Sequence, residues 1–466
     1  MNTTNSNKAR WLALLVLCLG TLMIVLDTTI VNVALPSIKA SLGFSDTSLA
    51  WVVNAYALTF AGFLLLGGRL GDLYGQRRFF LIGIIVFTLS SIVCGLAGSQ
   101  FILIAARAAQ GIGGAIASAI ALSLVMNMFP EPGERAKAMG IFGFVAAGGG
   151  SVGAVLGGIL TGTLNWHWIF LVNVPIGILV CILSLYLLSG EQADSKNVHL
   201  DLVGAFTVTA SLMLAVYGIV NGNALGWTSV QTLGTLLGAV ILMILFLYIE
   251  SKVRAPLMPL SLFKLRSVVV ANTAGVLWSA AMFSWFFLSA LYMQLVLNYD
   301  PLQVGLAFVP ANLIMAVFSI WLSAKVITRF GIKKSLTTGL ALCAAGLLVF
   351  AHASEHGTFL TDILLPMILM GFGAGISFNP MLLAAMNDVP EDESGLASGV
   401  VNTSFMMGGA LGLAILASIA SSQTAHLLAA GSSQAAALTG GYDVAFLTGG
   451  LFAACGALLV GLGLRI

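Results

Sequence analysis

Apolar residues in this chain come in long, nearly unbroken runs rather than in the short alternating pattern of strands. A helix needs about 20 residues to cross roughly 30 Å of hydrocarbon, and fourteen runs reach that scale. They lie at 11–34, 48–68, 79–97, 101–128, 137–163, 167–189, 201–221, 230–250, 268–296, 303–325, 334–352, 359–385, 395–421 and 442–465. The pattern predicts an all-α integral membrane protein with fourteen transmembrane helices. The first run is too long for a signal peptide and no small-residue cleavage site follows it, so it is expected to stay as a helix.

The links between runs alternate in charge. Lys8 and Arg10 precede the first run, Arg77 and Arg78 follow the second, and Lys325, Arg329, Lys333 and Lys334 follow the tenth. In all, 17 of the 19 basic residues fall on one side; Lys39 lies in an opposite link and Arg107 within a run. By the excess of Lys and Arg in cytoplasmic links, both termini are expected in the cytosol of a multi-pass protein of the inner (plasma) membrane. An even number of spans preserves this alternation.

Composition removes other classes. Hydrophobic residues make up 59% of the chain and charged residues 8%, with a mean hydropathy of +1.04. So few charges cannot cover the surface of a soluble fold this long, for which about 25% is usual. A net charge of +2 gives no electrostatic case for nucleic acid. Cys18, Cys94, Cys181, Cys343 and Cys455 sit in apolar runs with no CxxC pair and read as small buried hydrophobes. There is no GxxxxGK[ST] phosphate cradle and no HExxH. Gly149-Gly150-Ser151-Val152-Gly153 matches a nucleophile elbow as a string, but that elbow requires a strand–turn–helix setting and this one lies within a glycine-rich run. His167, His199, His352, His356 and His426 form no ligand cluster. No enzyme, cofactor, metal or obligate protein partner is implied; composition predicts the lipid bilayer as a partner, and the residues below add a small-molecule substrate and protons as expected ones.

The two ends of the chain repeat each other. Gly111, Gly113, Met126, Asn127, Pro130 and Glu131 recur 260 residues later as Gly371, Gly373, Met386, Asn387, Pro390 and Glu391. Gly75, Arg77 and Arg78 recur at an offset of 256 as Gly331, Lys333 and Lys334. Both offsets cover eight runs, so the copies share one orientation. This predicts a six-helix half at 1–189, two inserted helices with their links at 190–266, and a second six-helix half at 267–466. Two such parallel halves rock about a central site in one large transporter class.

Asp27 is the first candidate for chemistry. It sits about 24 Å along its run from Trp11, at 1.5 Å per residue. A carboxylate in a span costs on the order of 3 kcal/mol or more, which makes it a functional candidate by default and a candidate for reversible protonation. Arg107 is the one basic residue well inside a run. It lies about 9 Å, and Asp27 about 10 Å, from the same side, so the two are expected to influence each other's charge, directly or through Gln110 and water. A helix-end acid and an anchoring arginine are the plainer alternatives.

The segment GRLGDLYGQRR at 68–78 combines Gly68 and Gly75, where the chain can turn tightly, with Asp72, Arg77 and Arg78, and reads as a charged latch between neighbouring helix ends. Thr328 aligns with Asp72 in the second copy, where a weaker latch is expected. Gly149, Gly153, Gly157 and Gly158 form a small-residue face for close helix approach, a hinge seam between the halves or a static contact. Asn32, Asn54, Gln294, Asn379 and Asn402 are polar at depth and, with Tyr56, Gln110 and Trp285, are candidates for the substrate cavity.

The 68–78 segment resembles the loop signature of the major facilitator superfamily. DTTIVNVALP at 27–36 resembles the first-helix signature of its fourteen-helix drug:proton antiporters, and RAAQGIG at 107–113 the fourth-helix signature. The fifth-run glycines and WIFLVNVPIG at 168–177 are similar to further signatures of that family, although Ala154 stands where it usually has Pro and His167 where it has Arg. The resemblance implies export of amphipathic, often cationic drug-like compounds in exchange for protons by alternating access, with Asp27 and Arg107 in proton coupling. A narrow-specificity metabolite exporter or importer on the same fold, and more remotely a non-transporting scaffold or sensor, remain open.

Overall fold

The computed structural model describes residues 3–129, 131–188, 201–253, 256, 260–318, 322–389 and 394–464. These contain sixteen α-helices and no strand: α1 (Thr3–Leu42), α2 (Asp46–Tyr74), α3 (Gln76–Gly95), α4 (Gln100–Met128), α5 (Pro132–Thr163), α6 (Trp168–Leu171), α7 (Asn173–Leu187), α8 (Leu202–Leu225), α9 (Val230–Lys252), α10 (Arg266–Leu295), α11 (Pro301–Ala307), α12 (Val309–Val317), α13 (Ser323–Phe350), α14 (Leu364–Met386), α15 (Ser394–Ala429) and α16 (Gln434–Gly463). The chain is an all-α membrane protein. Twelve helical spans among the described residues are long and apolar enough to cross a bilayer. The other two predicted runs, 137–163 and 303–325, coincide with shorter described apolar helices, Val152–Thr163 and Pro301–Val317.

Polar residues just outside the runs set where helices begin. At the end of the bundle opposite the basic links, Ser45, Ser99, Ser229, Asp300 and Ser433 precede α2, α4, α9, α11 and α16. Each accepts a hydrogen bond from a backbone N–H in the first turn, so an orphan donor of the helix start is satisfied without lipid contact. Several boundaries differ from the hydropathy pattern, three of them at the end opposite the basic links. α1 continues through Pro36 to Leu42, α15 runs on to Ala429, and α16 starts at Gln434 rather than 442. Hydropathy marks where lipid ends, whereas backbone hydrogen bonding continues into the interface.

The repeat appears as matched backbone geometry. Gly75, between α2 and α3, has φ 102°, and Gly331, which breaks α13 in two, has φ 80°. Both lie in the left-handed region that a side chain disfavours. Two close helix crossings are also copies. A Cβ on Gly113 of α4 would lie 2.5 Å from Phe87 N and 2.8 Å from Gly83 O of α3. A Cβ on Gly373 of α14 would lie 2.7 Å from Cys343 N and 2.9 Å from Gly339 O of α13. Residues 83 and 87 become 339 and 343 at the same offset of 256 that relates Gly75 to Gly331.

The first helices pack as α1 on α5, and α2 and α3 on α4; the last pack as α13 on α14, and α10 on α15 and α16. Contact between the two sets runs mainly through α2 against α15 and α5 against α11 and α12, with α1 also meeting α10 and α11. α8 leans on both α2 and α15, so it straddles that seam, while α9 rests on α8. Of the five cysteines, none paired, Cys18, Cys94 and Cys343 are buried as expected, Cys181 is half-buried and Cys455 is exposed.

Gly113→Ala and Gly373→Ala should each cost about 1–3 kcal/mol through overpacking. Each should lower the apparent Tm of detergent-purified protein by several degrees. Gly68→Ala should leave it unchanged, because a Cβ there meets only the Ala119 Cβ, at 3.8 Å.

Candidate functional site

Five helices converge on Asp27. On α4, Arg107 and Gln110 are three residues apart and so share a face. Gly111 beside them has no side chain to hold α4 away from the Tyr56 backbone and the Thr59 hydroxyl of α2. That approach lets Arg107 Nε donate to Val52 O at 2.9 Å and lays its guanidinium 4.3 Å from the centre of the Tyr56 ring. Arg107 Nη1 donates to Asp27 Oδ2 at 2.6 Å and to Gln110 Oε1 at 2.6 Å. Asp27 Oδ1 accepts from Gln110 Nε2 and from Asn173 Nδ2, both at 2.8 Å. Ser91 of α3 accepts from Gln110 Nε2 at 2.8 Å and donates to Phe87 O at 2.9 Å.

This cluster is sealed. Asp27, Ser91, Gln110 and Asn173 are 0% exposed and Arg107 1%. Two opposite charges so deep survive only because each is paired and further hydrogen-bonded, which offsets desolvation.

The structure thus brings together Asp27, Arg107, Gln110 and Tyr56. Asn173 and Ser91 were not among the sequence candidates. Asn173 carries the same signal that nominated Asn32 and Asn54, an amide inside an apolar run; Ser91 carries none, because serine is common in membrane helices.

Gln110 and Tyr56, also candidates for a substrate cavity, surround the ion pair. Asn54 is fully buried with neither amide atom hydrogen-bonded, and Trp285 is buried against Phe286 and Phe308. Half-buried Asn32 donates to Thr28 O in its own helix at 3.2 Å. Gln294 of α10 donates to Val33 O of α1 at 2.8 Å, joining the first and last sets of helices. Asn379, before Pro380 on α14, and Asn402 on α15 are half-buried.

The glycine face of α5 is divided. Added Cβ atoms at Gly149, Gly153 and Gly157 would strike α1, at Leu22 and Val25, Leu26 and Thr29, and Ile30; one at Gly158 would lie 2.6 Å from Pro301 O of α11. Only Gly158 therefore lies on the seam, opposite Gly305, whose Cβ would lie 2.6 Å from Ala154 O.

At the basic end, Arg77 Nη2 donates to Leu185 O of α7 at 2.6 Å. Gln76 Nε2 donates to Ser123 Oγ of α4 at 2.7 Å, and Asn127 Nδ2 donates to Gln76 Oε1 at 3.2 Å. Arg78 is exposed, and the side chains of Arg69 and Asp72 lie outside the described residues. Thr328, aligned with Asp72, donates to Lys325 O within its own helix at 3.1 Å.

The family model of the Major Facilitator Superfamily matches residues 17–413. The chain belongs to the major facilitator superfamily. It is a membrane transporter and not an enzyme. It is 37% identical over 442 residues to the puromycin resistance protein of Streptomyces alboniger, covering 94% of this chain and 88% of that protein. It is 39% identical over 424 residues to the cephamycin export protein of Amycolatopsis lactamdurans, covering 90% and 87%. Among solved structures, a bacterial homologue of the human lysosomal transporter Spinster, inward-facing and unoccupied, aligns with a TM-score of 0.69 at 15% identity over 98% of this chain and 97% of that one. At that identity the likeness shows the shared fold.

Removing one partner of the buried pair should cost far more than removing both. Arg107→Ala should destabilise the protein by on the order of 3–5 kcal/mol, and Arg107→Lys should not rescue it, because an ammonium cannot serve Val52, Asp27 and Gln110 at once. The double variant Asp27→Asn/Arg107→Gln should recover much of the loss in a thermal unfolding assay.

Proposed function

We propose that this transporter exports amphipathic, often cationic drug-like compounds from the cytosol in exchange for protons. The observation that carries the reading is the sealed Asp27–Arg107 pair, an ionisable couple held at depth inside the first six helices. Relatives named for puromycin resistance and cephamycin export support the substrate class. Asp27 takes up a proton from outside and gives it up to the cytosol as the two halves rock, and Arg107 sets the charge that the proton must offset. The 68–78 segment latches the cytosolic side through Gly68, Asp72, Gly75, Arg77 and Arg78. Gly149, Gly153 and Gly157 keep α5 against α1, while Gly158 lets it swing on α11.

The basic end faces the cytosol of the inner membrane, with both termini there. α5 and the α11–α12 segment complete fourteen spans, arranged as 1–189, 190–266 and 267–466. α8 touches both α2 and α15, which suits an insert that fills a seam between two halves.

In proteoliposomes with an imposed pH gradient, the wild type should extrude ethidium, and a protonophore should abolish the extrusion. Asp27→Asn should lower gradient-driven extrusion at least about tenfold, the factor that corresponds to 1.4 kcal/mol. Full gradient-driven extrusion by that variant would refute the coupling role. Reporter fusions at either terminus should be active only in the cytosol; a periplasmic signal from one of them would overturn the topology.

A further inference from the structure

Each protein group bonded to the Asp27 carboxylate is a donor: Arg107 Nη1 on Oδ2, and Gln110 Nε2 and Asn173 Nδ2 on Oδ1. That set suits the ionised acid. Once protonated, Asp27 carries an O–H that itself needs an acceptor, and a buried donor left unpaired is costly. Gln110 Oε1 already accepts from Arg107 and Ser91 Oγ already accepts from Gln110. The Tyr56 hydroxyl points toward Gly114, one turn along α4 from Gln110.

Of the groups bonded to the carboxylate, Asn173 alone has an unspent acceptor. Asn173 Oδ1 is buried and receives no hydrogen bond from any described group, although its own Nδ2 donates to Asp27 and lies 3.4 Å from Ser91 Oγ. The amide's orientation follows from charge. With Asp27 ionised, a half-turn would set two acceptor oxygens against each other. With Asp27 protonated, the same half-turn sets an acceptor against a donor. The terminal torsion of asparagine is broad and roughly two-fold, so the turn itself meets little torsional resistance.

We infer that Asn173 is a positioning residue that follows the protonation of Asp27, donating through Nδ2 to the carboxylate and accepting through Oδ1 from the carboxylic acid. The inference rests on the proton-coupling reading and specifies how that site holds its proton. A proton from solution forms an O–H bond on Asp27 Oδ1, the Asn173 amide turns, and Arg107 keeps its charge throughout; release reverses each step.

The ionisable groups around Asp27 are Arg107 of α4, Tyr56 of α2 and Cys94 of α3. On other helices packed against α1, Glu134 of α5 pairs with Arg10, and the Tyr292 hydroxyl of α10 donates to Ser354 O. Cys181 and Tyr186 of α7 lie about 12 and 20 Å further along that helix from Asn173. α6 and α11 carry no ionisable residue.

The two amides that touch Oδ1 therefore have opposite effects on proton binding. Gln110 serves only the ionised form. Asn173 serves both forms, but the ionised form keeps Arg107 and Gln110 without it, whereas the protonated form loses its one acceptor. The test is infrared difference spectroscopy of the purified full-length protein in lipid bilayers across a pH titration, following the neutral-carboxyl band that Asp27→Asn removes. Asn173→Leu should lower the pH at which that band is half-grown by about one unit, a tenfold weaker hold on the proton. Gln110→Leu should raise it. Asn173→Ser, which keeps a hydroxyl, should fall near the wild type. If Asn173→Leu does not fold, Asn173→Ala makes the same deletion without bulk and should shift the same way.

An upward shift or no shift for the Asn173 deletion, with the Asp27-dependent band intact, overturns the inference alone, since an asparagine acting only as the donor seen here would behave like Gln110. Absence of any Asp27-dependent band overturns both the inference and the proton-coupling reading.

Discussion

A carboxylate and a guanidinium buried together in a bundle of apolar helices face a severe constraint. Each loses its hydration, and Coulomb attraction repays the loss only where geometry is close and remaining donors and acceptors are engaged. Around Asp27 that condition requires α1, α2, α4 and α7 to meet within hydrogen-bond distance of one carboxylate and one guanidinium, with α3 joined to them through Ser91 and Gln110. Much of the first six helices is arranged to meet it. Gly111 lets α4 lie on α2, and the Gly83–Gly113 crossing draws α3 and its Ser91 against α4.

The ion pair and its donors lie on the first helices, and two of these helices also reach the last set: α2 packs on α15, and α1 meets α10 and α11. The cage therefore shares helices with the seam. On the seam, Gly158 and Gly305 allow backbone-to-backbone approach, and Gln294 donates across it to Val33. Such contacts are weak one at a time. The repeated glycines at 75 and 331, both at positive φ, place equivalent turns at the same end of each half, as expected for two copies of one folding unit.

Some of this was readable from residues alone. Asp27 and Arg107 stood out because a charge inside an apolar run is expensive wherever it ends up, and counting 1.5 Å per residue from the same side brought them to one depth. Gln110 was legible as their neighbour because three residues separate it from Arg107 on a helix. Asn173 was missed although it carried the signal, because it sits beside Pro175 within a run whose other features drew attention. Ser91 carried no signal. Tyr56 was placed at a cavity because an aromatic residue offers a face to many partners, and sequence does not say that the partner is Arg107.

Hydropathy determined that the chain is helical and lies in a membrane, because those properties depend on solvent and on local periodicity, and the repeat is visible as matching residues at fixed offsets. Tertiary structure decided which side chains share a cage. The direction a residue faces around its helix, and which helix lies opposite, depend on packing between segments far apart in sequence. It took that packing to divide the α5 glycines between α1 and α11, to tie Arg77 to Leu185, and to leave one amide oxygen of Asn173 unbonded beside the carboxylate.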